Sequence, residues 1–120
     1  MSNLIRGISE NGGVVFCGVD STEIVRTAEQ LHHTSATCSA ALGRLLTGAS
    51  LMGSMLKDDG DSITLRVAGG GPIGTVVACT DGTGNVKGCI DHPLVELPLK
   101  TNGHLDVGGA VGKNGVLTVI

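Results

Sequence analysis

Ser62–Ile90, SITLRVAGGGPIGTVVACTDGTGNVKGCI, reads as three extended segments joined by two glycine turns, and it constrains the fold more than any other stretch. Ile63, Leu65 and Val67 alternate with Thr64, Arg66 and Ala68, the period of two that marks a strand with one buried face. Gly69, Gly70 and Gly71 lead into Pro72, which fixes φ and donates no hydrogen bond, so the chain reverses there and resumes over Thr75–Cys79. Asp81-Gly82-Thr83-Gly84-Asn85 reverses it again into Val86–Ile90. An antiparallel meander is predicted.

Gly69, Gly71 and Gly74 also spell G-x-G-x-x-G, the spacing of a dinucleotide-binding turn. That chemistry needs a helix immediately after the glycines, whose free N–H groups hold the pyrophosphate. Here the next residues are Thr75-Val76-Val77-Ala78-Cys79, short and rich in β-branched side chains, and no G-K-[ST] follows. The glycines are therefore read as a plain hairpin turn.

The 120 residues suffice for one domain, and their 20 glycines favour tight turns and close backbone contacts. Phe16 is the sole aromatic residue, so the core must be built from small aliphatic side chains. A net charge of −3 and the lack of stacking rings argue against nucleic acid as a partner. The opening MSNLIRGISENGG has no apolar stretch of signal-peptide length, which makes the cytoplasm the expected location. Cys17, Cys38, Cys79 and Cys89 are far apart in sequence and form no C-x-x-C; they are read as buried, reduced thiols rather than metal ligands.

Along the chain, Leu4–Ser9 and Val14–Val19 flank Glu10-Asn11-Gly12-Gly13 and predict a second hairpin. Asp20 is placed to cap a helix, with Glu23 reaching back as in a capping box and Ile24, Ala28 and Leu31 forming the apolar stripe. That helix should end near His32-His33-Thr34. A longer one follows, ATCSAALGRLLTGASLMGSMLK, with Leu42, Leu45, Leu46, Ala49, Met52, Gly53 and Leu56 at helical spacing and Lys57 at its negative end. Small residues on its other face predict close packing on more than one side, and Arg44 in its middle argues against a membrane span. Arg44 should pair with a carboxylate or carry its head group to the surface.

After the meander, Asp91-His92-Pro93 is a turn, LVELPL is extended, Thr101-Asn102-Gly103-His104 turns again, and Asp106–Gly115 is a glycine-rich loop. Val116–Ile120 is a strand pattern at which the sequence stops, the mark of a longer protein that has been cut. The fold class expected is α+β, two helices packed on mainly antiparallel sheet.

Three segments together, SAALGRLLTGASLMGSMLK, VAGGGPIGTVVA and LDVGGAVGKNGVLTVI, resemble the N-terminal core of the 33-kilodalton heat-shock protein family, the redox-regulated bacterial chaperones. The resemblance covers nearly the whole chain, and residues 1–120 are read as a single, C-terminally truncated core domain. It implies a holdase that binds unfolding client proteins under oxidative or heat stress, without ATP, as a cytoplasmic homodimer. In that family a C-x-C and a C-x-x-C in a C-terminal module hold zinc and sense oxidants. Neither pattern occurs here, so zinc and the switch are not carried over to these residues, and no catalytic, cofactor or metal residue is assigned.

Two other classes remain open from the residues alone. An enzyme would draw on Cys38 with His32 and His33, or on Asp91, His92, Glu96, His104 and Asp106, each of which has an ordinary surface or structural reading. An inert structural fragment would show no activity of its own.

Overall fold

A computed structural model describes residues 3–120. Strands β1 (Asn3–Ile8) and β2 (Val15–Asp20) pair antiparallel, with Ile5 opposite Gly18 and Gly7 opposite Phe16. The turn closes through Ser9 N–H to the Val14 carbonyl at 2.8 Å, and Gly12 takes the φ of 73° that the reversal requires.

Helices α1 (Thr22–His32) and α2 (Ala36–Gly53) follow. Asp20 does meet the start of α1, accepting from Thr22 N–H at 3.1 Å and from the Thr22 hydroxyl at 2.7 Å, but the cap position itself is Ser21. Those bonds, the hydroxyl first, hold the Asp20 carboxyl below its usual pKa. The reciprocal arm of the expected capping box does not form, because Glu23 turns outward to Arg26 at 3.2 Å. His33 ends the helix in the left-handed conformation, φ 52°, its N–H bonded to the Glu29 carbonyl. Ile24 and Ala28 are half-buried, but Leu31, expected in the same stripe, faces solvent.

α2 begins at Ser35, whose hydroxyl accepts from Cys38 N–H at 3.3 Å and donates to the Val95 carbonyl. It stops at Gly53, short of the expected Lys57. The Ser54 hydroxyl donates to the Leu51 carbonyl at 2.6 Å, and Met55 and Leu56 N–H groups bond three residues back, so the last turn tightens and ends. Lys57 is exposed beyond it and compensates no helix end.

Strands β3 (Ser62–Ala68), β4 (Thr75–Asp81) and β5 (Val86–Ile90) form the meander read from the sequence. A last strand, β6 (Val116–Val119), returns to the free side of β3 and gives the antiparallel order β5-β4-β3-β6, with Leu65 opposite Val119. The Asp106–Gly115 loop is a loop only in part: Asp106 Oδ1 accepts from Gly109 N–H at 3.0 Å and caps a short helix, α3 (Val107–Val111), despite its two glycines. LVELPL makes no strand. Prolines 93 and 98 remove backbone donors, and the segment is tied instead to the start of α2 through Ser35. The class is α+β, as expected.

The core lies between α2 and the sheet. Leu42, Leu46 and Ala49 pack with Leu65, Val76, Ala78 and Ile90, and Ile73 and Ala110 close one end, all nearly inaccessible to water. Small residues set the spacing on both sides of α2. A Cβ at Gly88 of β5 would stand 3.0 Å from Leu46 Cδ2 and 3.2 Å from Leu42 Cδ1, and one at Gly43 would stand 2.8 Å from Val25 of α1. The hairpin β1–β2 contributes nothing to this core and leans on it mainly at the end of α2, where Cys17 Sγ lies 3.5 Å from Ser54 Oγ. The radius of gyration, 15.3 Å, accordingly exceeds the roughly 13.6 Å of a compact chain of this length.

Gly88→Val should cost about 1–3 kcal/mol in urea unfolding, since the added side chain meets Leu42, Leu46 and the Val77 carbonyl at 2.6 Å. Leu42→Ala should cost about 2–5 kcal/mol in the same assay. Asp81 supplies the pH dependence. Its carboxylate accepts from the Thr83 hydroxyl above all, and from the N–H groups of Thr83 and Asn85, which holds its pKa below the ordinary 3.8. A depressed folded-state pKa adds stability that is complete above the unfolded value and lost as the pH falls through the folded one. Asp81→Asn should therefore be less stable than the parent at neutral pH, with the gap closing below 3.8.

Candidate functional site

The hairpin β1–β2 carries the largest exposed apolar side chains of the chain in one place. Its register puts Ile5, Gly7, Phe16 and Gly18 on one face and Leu4, Arg6, Ile8, Val15, Cys17 and Val19 on the other. On the first face each bulky residue sits across from a glycine. A Cβ on Gly7 would collide with the Phe16 ring, and one on Gly18 would stand 3.4 Å from Ile5 Cγ1, so ring and chain lie flat over the glycine backbones. They remain 55% and 64% exposed, for Phe16 and Ile5 respectively.

On the second face the half nearest the core is partly covered, with Cys17 and Val19 half-buried beside α2. Toward the turn, Ile8 and Val15 are again open, at 65% and 73%. Below Leu4 and Arg6 a cleft of about 750 Å³ runs between the hairpin, the end of α2 with the residues that follow it to Leu56, and the β4–β5 turn. The ribbon pairs with no other strand among the described residues, so both its edges offer backbone donors and acceptors as well. Neither composition nor a motif marked this face; the one available signal was Phe16 paired with Gly7 in a hairpin register that the sequence does not print.

The residues that an enzyme would have used are dispersed into structural tasks. Cys38 is fully buried, its thiol directed at the His92 carbonyl at 3.3 Å and the Val95 carbonyl at 3.5 Å rather than at an imidazole. His33 is the exposed end of α1, and Asp91 Oδ2 accepts from Thr75 N–H at 2.9 Å. Asp106 caps α3, while His104 belongs to the turn after Lys100. His92 and Glu96 are exposed on the segment that follows β5. Of the four thiols expected to be buried, only Cys38 is; Cys79 is half-exposed and Cys89 exposed because they lie on the outer face of the four-stranded sheet, on which nothing packs among the described residues, and Cys17 is half-exposed on the hairpin, which stands outside the core. Arg44 took the second of its two expected courses and reaches the surface.

The G-x-G-x-x-G stretch is a turn, as read. Its donors are already spent: Gly71 N–H bonds the Val111 carbonyl at 3.0 Å and Ile73 N–H the Ala110 carbonyl at 3.2 Å. A Cβ at Gly71 would strike the Ala110 carbonyl, so these glycines serve the close approach of α3. Among the described residues no helix is long and apolar enough to cross a membrane.

Comparison with known proteins adds the family. The family model described as Hsp33 protein matches residues 2–120. The 33 kDa chaperonin of Clostridium tetani is 50% identical over 117 residues, which are 98% of this chain and 40% of that protein. That of Clostridioides difficile is 44% identical, again over 98% of this chain and 40% of the relative. The crystal structure of the 33 kDa chaperonin of Thermotoga maritima superimposes with a TM-score of 0.86 at 32% identity, covering 98% of this chain and 44% of that one. The chain thus spans about two-fifths of the length of the curated relatives it matches. It belongs to the Hsp33 family of chaperones.

Proposed function

We propose that this chain holds unfolding proteins without ATP, as a cytoplasmic holdase, and that the face of β1–β2 bearing Ile5 and Phe16 is where clients dock. The observation that carries the reading is the open apolar ribbon: Ile5 and Phe16 on the proposed face, and Ile8 and Val15 on the opposite one, are each more than half exposed. A folded domain ordinarily hides such side chains, and an exposed group of them is suited to the apolar segments that an unfolding protein uncovers. The free ribbon edges add a second, sequence-independent mode, in which an extended client strand bonds to backbone. Recognition of that kind suits a protein that must bind many unrelated partners.

No nucleotide, metal or catalytic group takes part at this face, and clients bind and leave by mass action alone. Redox control in the family's manner would run through residues other than Cys17, Cys38, Cys79 and Cys89. Two copies associate, with the edge of β6, unpaired among the described residues, the natural place for a strand from the partner to add.

Ile5→Ser with Phe16→Ser should weaken client binding, read as suppression of light scattering by an aggregating model protein, by roughly a hundredfold or more, since the two apolar side chains buried against a client together contribute about 3–6 kcal/mol. The melting temperature should stay close to the parent's because neither residue belongs to the core. Loss of suppression together with loss of the cooperative melt would instead mark the pair as structural. Suppression by the parent should be equal in reducing buffer and after peroxide; activity that appears only after peroxide would transfer the switch to these four thiols.

A further inference from the structure

Lys100, Asn102 and His104 stand on one tight turn that its own backbone fixes. Lys100 N–H donates to the His104 carbonyl at 2.9 Å, Gly103 N–H to the Lys100 carbonyl at 2.8 Å, and His104 N–H to Asn102 Oδ1 at 3.0 Å. The Asn102 oxygen is spent there, so what that side chain has to offer a ligand is its NH2. With Arg44 of α2, Leu105 and Val107, these three residues line a depression of about 390 Å³.

The charge of this depression is opposite to that of the chain. The protein carries a net charge of −3, yet a guanidinium, an ammonium and an imidazole share one hollow whose lining contains no carboxylate. Asp106, adjacent in sequence, has Oδ1 engaged by Gly109 N–H. Among the described residues the salt bridge formed is Arg26–Glu23, so Arg44 and Lys100 are not neutralised by a neighbour. Arg44 is the one charged residue of its helix, and it is exposed beside the Lys100–His104 turn.

We propose that the Arg44, Lys100 and His104 depression binds a phosphate-type oxyanion, free or as a phosphomonoester. The guanidinium presents a planar fork that matches two oxygens of such a group, the ammonium adds a point charge, and the Asn102 amide and the imidazole donate to the remaining oxygens. A volume of 390 Å³ falls within the roughly 300–1,000 Å³ of small-molecule sites, which leaves room for an organic substituent against Leu105 and Val107. No residue of β1 or β2 lines the depression, so the site stands or falls apart from the client-docking face.

The test is an amide and arginine side-chain NMR titration of the full chain with inorganic phosphate and with phenyl phosphate, ionic strength held constant with sodium chloride. Saturable shifts confined to Lys100–Gly108 and Arg44, weakened about tenfold by Arg44→Gln and separately by Lys100→Gln but not by Lys113→Gln, are expected. Tighter binding of phenyl phosphate would assign the site to an ester, and equal binding to the free anion. Shifts that fail to saturate, that chloride reproduces, or that persist in both Arg44→Gln and Lys100→Gln would overturn the proposal.

Discussion

The structure depends on how closely α2 approaches its neighbours. Leu42 and Leu46 reach the sheet over Gly88, and Gly43 lets Val25 of α1 come within contact on the opposite side. A core without a buried aromatic ring has only short side chains to fill it, so dispersion and burial must be gained by reducing the distance between layers. Glycine at the crossing points permits that, and at Gly71 it does the same for α3. The glycines at these crossing points are therefore an expression of packing rather than of disorder.

The hairpin stands outside this arrangement. Its two glycines receive Phe16 and Ile5 from the opposite strand, not a side chain of the core, so the ribbon is stabilised locally while its apolar groups stay available. An apolar face held open by its own ribbon suits the proposed binding of unfolded chains. It must not collapse onto its own core, and it must not demand a particular shape of its partner. Membership of a chaperone family and the exposure of this ribbon are the two observations behind the proposed use.

Much of the fold was legible because turn chemistry and period-2 patterning agree over Ser62–Ile90 and over the N-terminal hairpin. Where local signals competed, the reading failed. Ser54 took a carbonyl and ended α2 early, Glu23 preferred Arg26 to the helix start, and Asp106 nucleated a short helix through glycines whose intrinsic preference is against it. LVELPL had the hydropathy of a strand, but Pro98, Pro93 before it and the Ser35 contact fixed it elsewhere. The proposed docking face was not legible at all. Exposure of Ile5 and Phe16 depends on what fails to pack against them, and no local pattern encodes that.

Site-specific photo-crosslinking tests the central claim most directly. A benzophenone side chain placed at Phe16, and in a second protein at exposed Pro72 in the β3–β4 turn, would be irradiated with a chemically unfolded client protein present. Crosslinks from position 16 far in excess of those from position 72 are the expected result. Equal labelling from the two, or labelling from position 72 alone, would contradict the account.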